Sequence, residues 1–322
     1  MTYLFIILIF AIVLNNLLCL SFRKELAFIS FLPIPFITIF FFNAGSPDIE
    51  VYKFFFSETC KGSFVTDPGM SLIFIPFCGF GEEIGIKLII FIVSILGYLA
   101  FSKIDNTFGP VIYLAFGNFF IGNFNALSFN FLLYILIIAL LNSNKLKNSL
   151  LIISGTAFHT AGTFFLLSNF LSRISLLITT PIAILITILS YSFLINFTPF
   201  DDRFFKLNGD GSISNLIYFL IITILFCIFG HKKYDKKLLN SIVLANVIYA
   251  GLAINIIFLQ INALRFLNIS FAFLLISLIS LFSKNSFTRT LIFMGILILS
   301  IANFIFNSSI FPLHEWILFE IV

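Results

Sequence analysis

The chain is predicted to be an all-α polytopic integral membrane protein, with about 10–12 transmembrane helices, some of them short or broken, and outward-facing loops. Hydrophobic residues make up 60% of the 322 and charged residues only 10%. Mean hydropathy is +1.14. The apolar residues fall in long runs separated by short polar punctuation. A water-facing surface has about a quarter of its residues charged, so a soluble domain is excluded. Residues 1–322 form a single transmembrane domain on this reading, with outward loops near 44–84 and 197–213.

In chain order the apolar runs give candidate spans near 3–20, 26–43, 85–101, 109–122, 125–141, 149–159, 160–172, 174–196, 214–230, 238–258, 267–282 and 290–306. The first has no basic region before it and no small-residue cleavage site after it, so it reads as a retained span. The segment from Asn43 to Glu83 departs from the apolar character around it and holds Asp48, Glu50, Glu58, Asp67, Glu82 and Glu83, six of the chain's 14 carboxylates. Such a polar loop between spans suggests a site facing water. Within it, Ser71 to Phe80 is apolar but too short to cross, so it dips into the membrane or lies on its surface.

Charge decides the topology. If the run 149–172 turns at His159 and the N-terminus is outside, one face receives 12 of the 18 basic residues and only Glu25, Asp105 and Asp235, 12 minus 3 or +9. The other face carries the remaining 6 basic and 11 acidic residues, or −5. That is the positive-inside pattern, with the acidic loops outside. No internal repeat is evident, which disfavours a secondary transporter.

The candidate residues lie on the outward side. His159 interrupts an apolar run flanked by Gly155, Thr156, Ala157, Thr160, Ala161 and Gly162. An ionisable group inside the membrane is a functional candidate, or else a neutral imidazole bridging two helices by hydrogen bonds. Arg265 lies between two apolar spans and either grips phosphate through its two-pronged guanidinium or snorkels to the interface. Asp48 and Tyr52 are four residues apart and share a helix face after Pro47, although Asp48 also suits a helix N-terminus for its dipole alone. Asp67-Pro68-Gly69 is a turn signal as well as a candidate contact. Arg203 and Lys206 are further outward cations, with Asp201 and Asp202 beside them to neutralise them. His231 and His314 have no second ligand at metal spacing, so no metal and no cofactor is expected. Cys19, Cys60, Cys78 and Cys227 follow no ligand or disulfide pattern and read as small apolar residues.

The order of these features resembles the EpsG-like family of membrane polysaccharide polymerases, relatives of the Wzy-type O-antigen and capsule polymerases. The matching stretches are Gly45-Ser46-Pro47-Asp48 with Tyr52, Asp67-Pro68-Gly69, Ala157-Phe158-His159-Thr160-Ala161, and Arg265. The family's arginine before the first motif is replaced here by Phe42 and Asn43, and its Arg-Gln pair by Gly122 to Phe129, leaving Asn118, Asn123 and Asn125 as alternative sugar contacts. The resemblance implies a membrane glycosyltransferase of the bacterial inner (cytoplasmic) membrane, multi-pass, with its active site facing the periplasm. It would join undecaprenyl-diphosphate-linked oligosaccharide units during O-antigen, capsule or exopolysaccharide synthesis. His159 or Asp48 would be the base, and Arg265, Tyr52, Asp67, Arg203 and Lys206 would bind substrate. Membrane lipid and a chain-length regulator are the further partners this implies, and nucleic acid is not one. A flippase for lipid-linked oligosaccharide and a membrane O-acyltransferase are the alternatives. A CAAX-type protease lacks its second intramembrane histidine.

Overall fold

Apolar runs that exclude water leave backbone groups no partner but each other, and helix is the result throughout. The computed structural model describes residues 2–21, 23–41, 47–63, 68–116, 119–120, 123, 127–142, 144–158, 168–169, 172, 178–182, 185, 213–255, 260–283 and 285–306, and no strand occurs among them. In order, the principal helices are α1 (Thr2–Leu20), α2 (Lys24–Phe31), α3 (Pro33–Phe40), α4 (Pro47–Cys60), α5 (Pro68–Phe74), a 3-10 helix (Ile75–Phe80), α6 (Glu82–Ile104), α7 (Phe108–Ala115), α8 (Leu127–Leu140), α9 (Lys145–Phe158), α10 (Ile213–Gly230), α11 (Lys236–Asn255), α12 (Gln260–Phe282) and α13 (Ser286–Phe306). Among the described residues, three helical segments are long and apolar enough to cross a membrane: Tyr3–Leu20, Glu82–Ile104 and Ser286–Phe304.

Their outer faces agree with that. Along α1, Tyr3, Ile6, Phe10, Leu14 and Leu17 are exposed, while Leu8, Ile12, Asn15 and Cys19 are buried on the opposite side. On α13, Phe287, Leu291, Met294 and Ile298 form a similar exposed stripe at helical spacing. Apolar stripes of this length are costly in water and cost nothing against lipid tails.

Two expectations change. The span near 26–43 is broken into α2 and α3, each of 8 residues, because Pro33 sits at the first position of α3 and has no N–H to continue the helix before it. The segment 43–83 is largely helical rather than a loop, with α4, α5 and the 3-10 helix filling most of it. Ion pairs Lys53–Glu50 and Lys61–Glu58, both at 2.7 Å and three residues apart, lie along α4.

The chain divides into two compact units. The first comprises Met1–Ser143, Ser154–Thr160 and Ile279–Val322, and the second comprises Asn144–Ile153 and Ala161–Leu278. At the centre of the first unit is α6, which buries Ile86, Ile89, Ile90, Val93, Tyr98 and Phe101. Its polar positions are tied into a network. Asn123, fully buried, donates to Ser94 Oγ at 3.1 Å and to the Tyr113 hydroxyl at 2.9 Å, and its Oδ1 accepts from Tyr134 at 2.7 Å and from Asn130 at 3.2 Å. Tyr113 in turn donates to the Ser94 carbonyl at 3.1 Å. Asn123 therefore ties α6, α7 and α8 together, and its side chain is committed to structure rather than to a sugar.

The ends of this unit differ in charge. Asn15 of α1 donates to Tyr98 of α6 at 3.0 Å, which ties the two helices together within two turns of the C-terminal end of each. Arg289 stands over the Phe108 ring at 5.8 Å, and Asn303 donates to the Leu114 carbonyl at 3.3 Å, so α13 runs parallel to α7. The end where α1 and α6 finish thus carries Arg23, Lys24, Lys103 and Arg289 against Glu25 and Asp105, 4 minus 2 or +2. The opposite end carries Lys53, Lys61 and Lys87 against Asp48, Glu50, Glu58, Glu82 and Glu83 among the described residues, 3 minus 5 or −2.

In the second unit, α10 and α11 form a hairpin through His231–Asp235. Asp235 accepts from the Leu238 backbone at 2.7 Å and so caps α11. Asn246 donates to Thr223 Oγ1 at 3.0 Å and to Ser270 Oγ at 2.7 Å, linking α11 to α10 and α12. The expected span 267–282 begins earlier, at Gln260, so Arg265 lies within a helix of 23 residues rather than in a break between spans.

Candidate functional site

Three of the motif-bearing segments meet at the acid-rich end of the first unit, around the N-terminal half of α8. Helix α4 starts at Pro47, where a missing N–H is harmless, and puts Asp48 in its first turn and Tyr52 one turn on. The Tyr52 hydroxyl accepts from the Ser128 backbone N–H at 3.3 Å and lies 3.4 Å from Ser128 Oγ. It thereby satisfies one of the backbone donors that the start of α8 leaves open.

Gly69, at the head of α5, rests on the end of α9. A methyl group at Gly69 would stand 2.8 Å from both the carbonyl carbon and oxygen of Ala157 and 2.7 Å from Phe158 Cδ1. Only a residue without Cβ lets the two backbones approach so closely. The Phe158 ring packs on Phe131 of α8 with centroids 4.3 Å apart. One turn back, a methyl at Gly155 would lie 2.9 Å from Leu132 Cδ1. So Ser128, Phe131 and Leu132, successive on one face of α8, receive α4 and the last turns of α9.

Beneath this, Phe56 of α4 packs on Phe74 of α5 at 5.5 Å, and its ring fills the space that Gly85 of α6 leaves open. Two hydroxyls in the same packing, Thr59 on α4 and Ser71 on α5, are buried with no hydrogen-bond partner among the described residues. Buried polar groups normally find partners, so both are spare capacity for a ligand or an added neighbour. The cations at this end are engaged: Lys53 with Glu50, Lys61 with Glu58, and Lys87 with Glu83 at 2.8 Å. The Glu50 carboxylate raises the Lys53 ammonium above its ordinary value, with Glu83 and Glu82 adding to the same field.

A disulfide closes this region. Cys60, the last residue of α4, is bonded to Cys78 of the 3-10 helix, with Cα atoms 5.6 Å apart. These two cysteines are therefore not the small apolar residues that sequence suggested. The pairing depends on the chain folding back after α5, which spacing alone does not reveal. Cys19 and Cys227 are free.

Of the expected site residues, Tyr52 is at the junction just described. Asp48 is on the first turn of α4 and Arg265 on α12, each with its side chain outside the described residues. His159, Asp67, Arg203 and Lys206 lie outside the described residues, as do Asn118 and Asn125. Sequence reasoning missed Ser128, Thr59 and Ser71. Ser128 carried a signal in its place at the head of an apolar run, where hydroxyl residues mark helix starts. Among the described residues, no group of three or more His, Cys, Asp or Glu is placed to hold a metal. No protein-family model, curated protein or solved structure matches this chain.

Proposed function

We propose that the protein is a polytopic membrane glycosyltransferase that polymerises undecaprenyl-diphosphate-linked oligosaccharide repeats on the periplasmic face of the bacterial inner membrane. The observation that carries this reading is the seating of Gly69 on Ala157 and Phe158 beside the Tyr52–Ser128 contact. Three segments separated by tens of residues, each matching a motif of the EpsG-like polymerases, share one end of one unit.

The orientation has two supports. The end holding the junction has fewer Lys and Arg among the described residues, 3 against 4, the direction the positive-inside rule gives an outward face. It also holds the Cys60–Cys78 bond, and disulfides persist outside the reducing cytoplasm. With α2 and α3 as half-length pieces, the remaining apolar runs suit about 10–12 crossings, several short or broken.

The chemistry follows from the residue types. The acceptor sugar hydroxyl attacks the anomeric carbon of the donor repeat, a new C–O bond forms, and the bond to the lipid diphosphate breaks. His159, the residue after Phe158 in the chain, or Asp48, one turn before Tyr52, takes the proton. The diphosphate that leaves calls for a cation, the role that the family resemblance gives to Arg265, with Arg203 and Lys206. Tyr52, Asp67 and the spare hydroxyls of Thr59 and Ser71 suit a neutral, hydroxyl-rich sugar.

The test is His159→Ala beside His159→Gln, at matched protein level, in cells scored for glycan length. The alanine variant is expected to lose long polymer by about 10²–10⁴-fold and to accumulate single lipid-linked repeats. Loss in both variants assigns proton transfer to the histidine, and loss in alanine alone assigns positioning. Long polymer made normally by cells from which the chain is deleted would sink the reading altogether.

A further inference from the structure

The segment from Pro68 to Phe80 is unevenly packed, with its 3-10 end held less than its α5 end. No residue of the 3-10 helix Ile75–Phe80 is buried, and Leu72, Ile75 and Phe80 are exposed. Turns bound the region on both sides at Gly62, with φ +92°, and Gly81, with φ +77°, the left-handed conformation that glycine adopts freely. The noncovalent supports lie at the α5 end, where Gly69, Met70, Ser71 and Phe74 are buried and the bare backbone of Gly69 rests on Ala157. The same segment carries the Pro68-Gly69 step that completes the junction. The one covalent tie is Cys60–Cys78, which fastens the far end of the segment to the last residue of α4, the helix that also carries Tyr52.

We infer that the Cys60–Cys78 disulfide is a positioning bond that seats Pro68–Phe80 against the end of α9, so that the site is complete only after oxidation on the outer side of the membrane. The inference rests on the polymerase reading for its consequence in activity, but not for its consequence in structure. Formation is a two-electron exchange. One cysteine thiolate attacks the disulfide of an oxidising thiol–disulfide exchange protein and the second cysteine displaces it. Cys60 and Cys78 together give up two electrons and two protons, and the exchange protein leaves as a dithiol. In the cytoplasm the same pair stays reduced and the segment unseated, which keeps the site inactive until the loop is across.

The experiment uses the intact wild-type protein in lipid nanodiscs, with and without dithiothreitol, followed by backbone hydrogen exchange and by polymerisation. The substrate is total lipid-linked oligosaccharide extracted from cells lacking the chain. Reduction is expected to raise exchange in peptides covering 68–80 by about tenfold while α6 and α8 are unchanged, because local opening needs no global unfolding. Polymer yield falls in step, and both recover on reoxidation. Cys60→Ser with Cys78→Ser shows the raised exchange from the start and no response to reductant. Unchanged exchange on reduction, or alkylation of Cys60 and Cys78 without it, overturns the inference. So does polymer made equally well by the reduced protein. If exchange responds as expected but neither form makes polymer, the seating stands and the polymerase reading fails.

Discussion

The first unit handles polar groups in two ways. Around Asn123, in the core, amide and hydroxyl groups answer one another: the Asn123 side chain makes four hydrogen bonds to Ser94, Tyr113, Tyr134 and Asn130. In the α4–α5 module, Thr59 and Ser71 are as deeply buried but have no partner among the described residues, and a disulfide and local ion pairs do the holding. A satisfied network fixes one arrangement and has nothing left to offer a substrate. An unsatisfied one tolerates a cost in stability, which is where binding is expected. The contrast assigns architecture to the first region and leaves the second as the candidate for function.

The largest structural effect that can test this contrast is Asn123→Ala. It removes four hydrogen bonds and orphans the Asn130 amide in the core, at a cost of about 2–4 kcal/mol. The expected result is a lowered melting temperature in detergent and reduced protein yield, with whatever polymer is made scaling with folded protein. Normal stability combined with lost polymer would move Asn123 from the architecture into the site.

The parts of this fold that were legible in sequence are those set by local pattern. The run 3–20 is α1, and 290–306 falls within α13, because a continuous apolar stretch of that length has no alternative to helix in lipid. The acidic stretch from Asn43 to Glu83 was recognisable as a break in the apolar runs. The helix starting at Pro47 was legible there from Asp48 and Tyr52 four residues apart, but its extent to Cys60 was not, since Glu, Lys and Phe interleave in α4 without a clean apolar stripe. Pro33 signalled a break that the apolar count of 26–43 overrode. The Cys60–Cys78 bond and the Asn123 network were invisible for another reason. Both join residues whose approach depends on how separate helices pack, and no spacing encodes that. The same holds for the site: Asp67-Pro68-Gly69 and Ala157-Phe158 were each visible, but their contact was not.

A middle-sized effect is expected from Gly69→Ala. Its methyl group meets backbone atoms of Ala157, which cannot rotate away, so α5 has to shift at a cost of about 1–3 kcal/mol. The disulfide keeps the segment attached, so the loss should appear mainly as shorter polymer rather than as unfolding. The check is glycan length against melting temperature, with Gly79→Ala as control, since nothing lies within 4 Å of a methyl group there. Equal effects from the two glycines would mean that the Gly69–Ala157 contact has no special role.

The smallest effect, and the one that separates the two regions most sharply, is expected from Ser71→Ala. The hydroxyl is fully buried and unpartnered among the described residues, so replacing it removes a desolvation penalty and breaks no bond. Stability should stay level or rise, by up to about 1 kcal/mol, the opposite sign to Asn123→Ala. Thr59→Val, which keeps the shape and removes only the hydroxyl, should behave in the same way. If these groups are kept for a sugar, polymer yield falls in both variants while the melting temperature does not. A drop in stability comparable to that of Asn123→Ala would show that the hydroxyls belong to the architecture after all. Unchanged yield together with raised stability would leave Tyr52 as the one described side chain of the junction with a claim on the substrate.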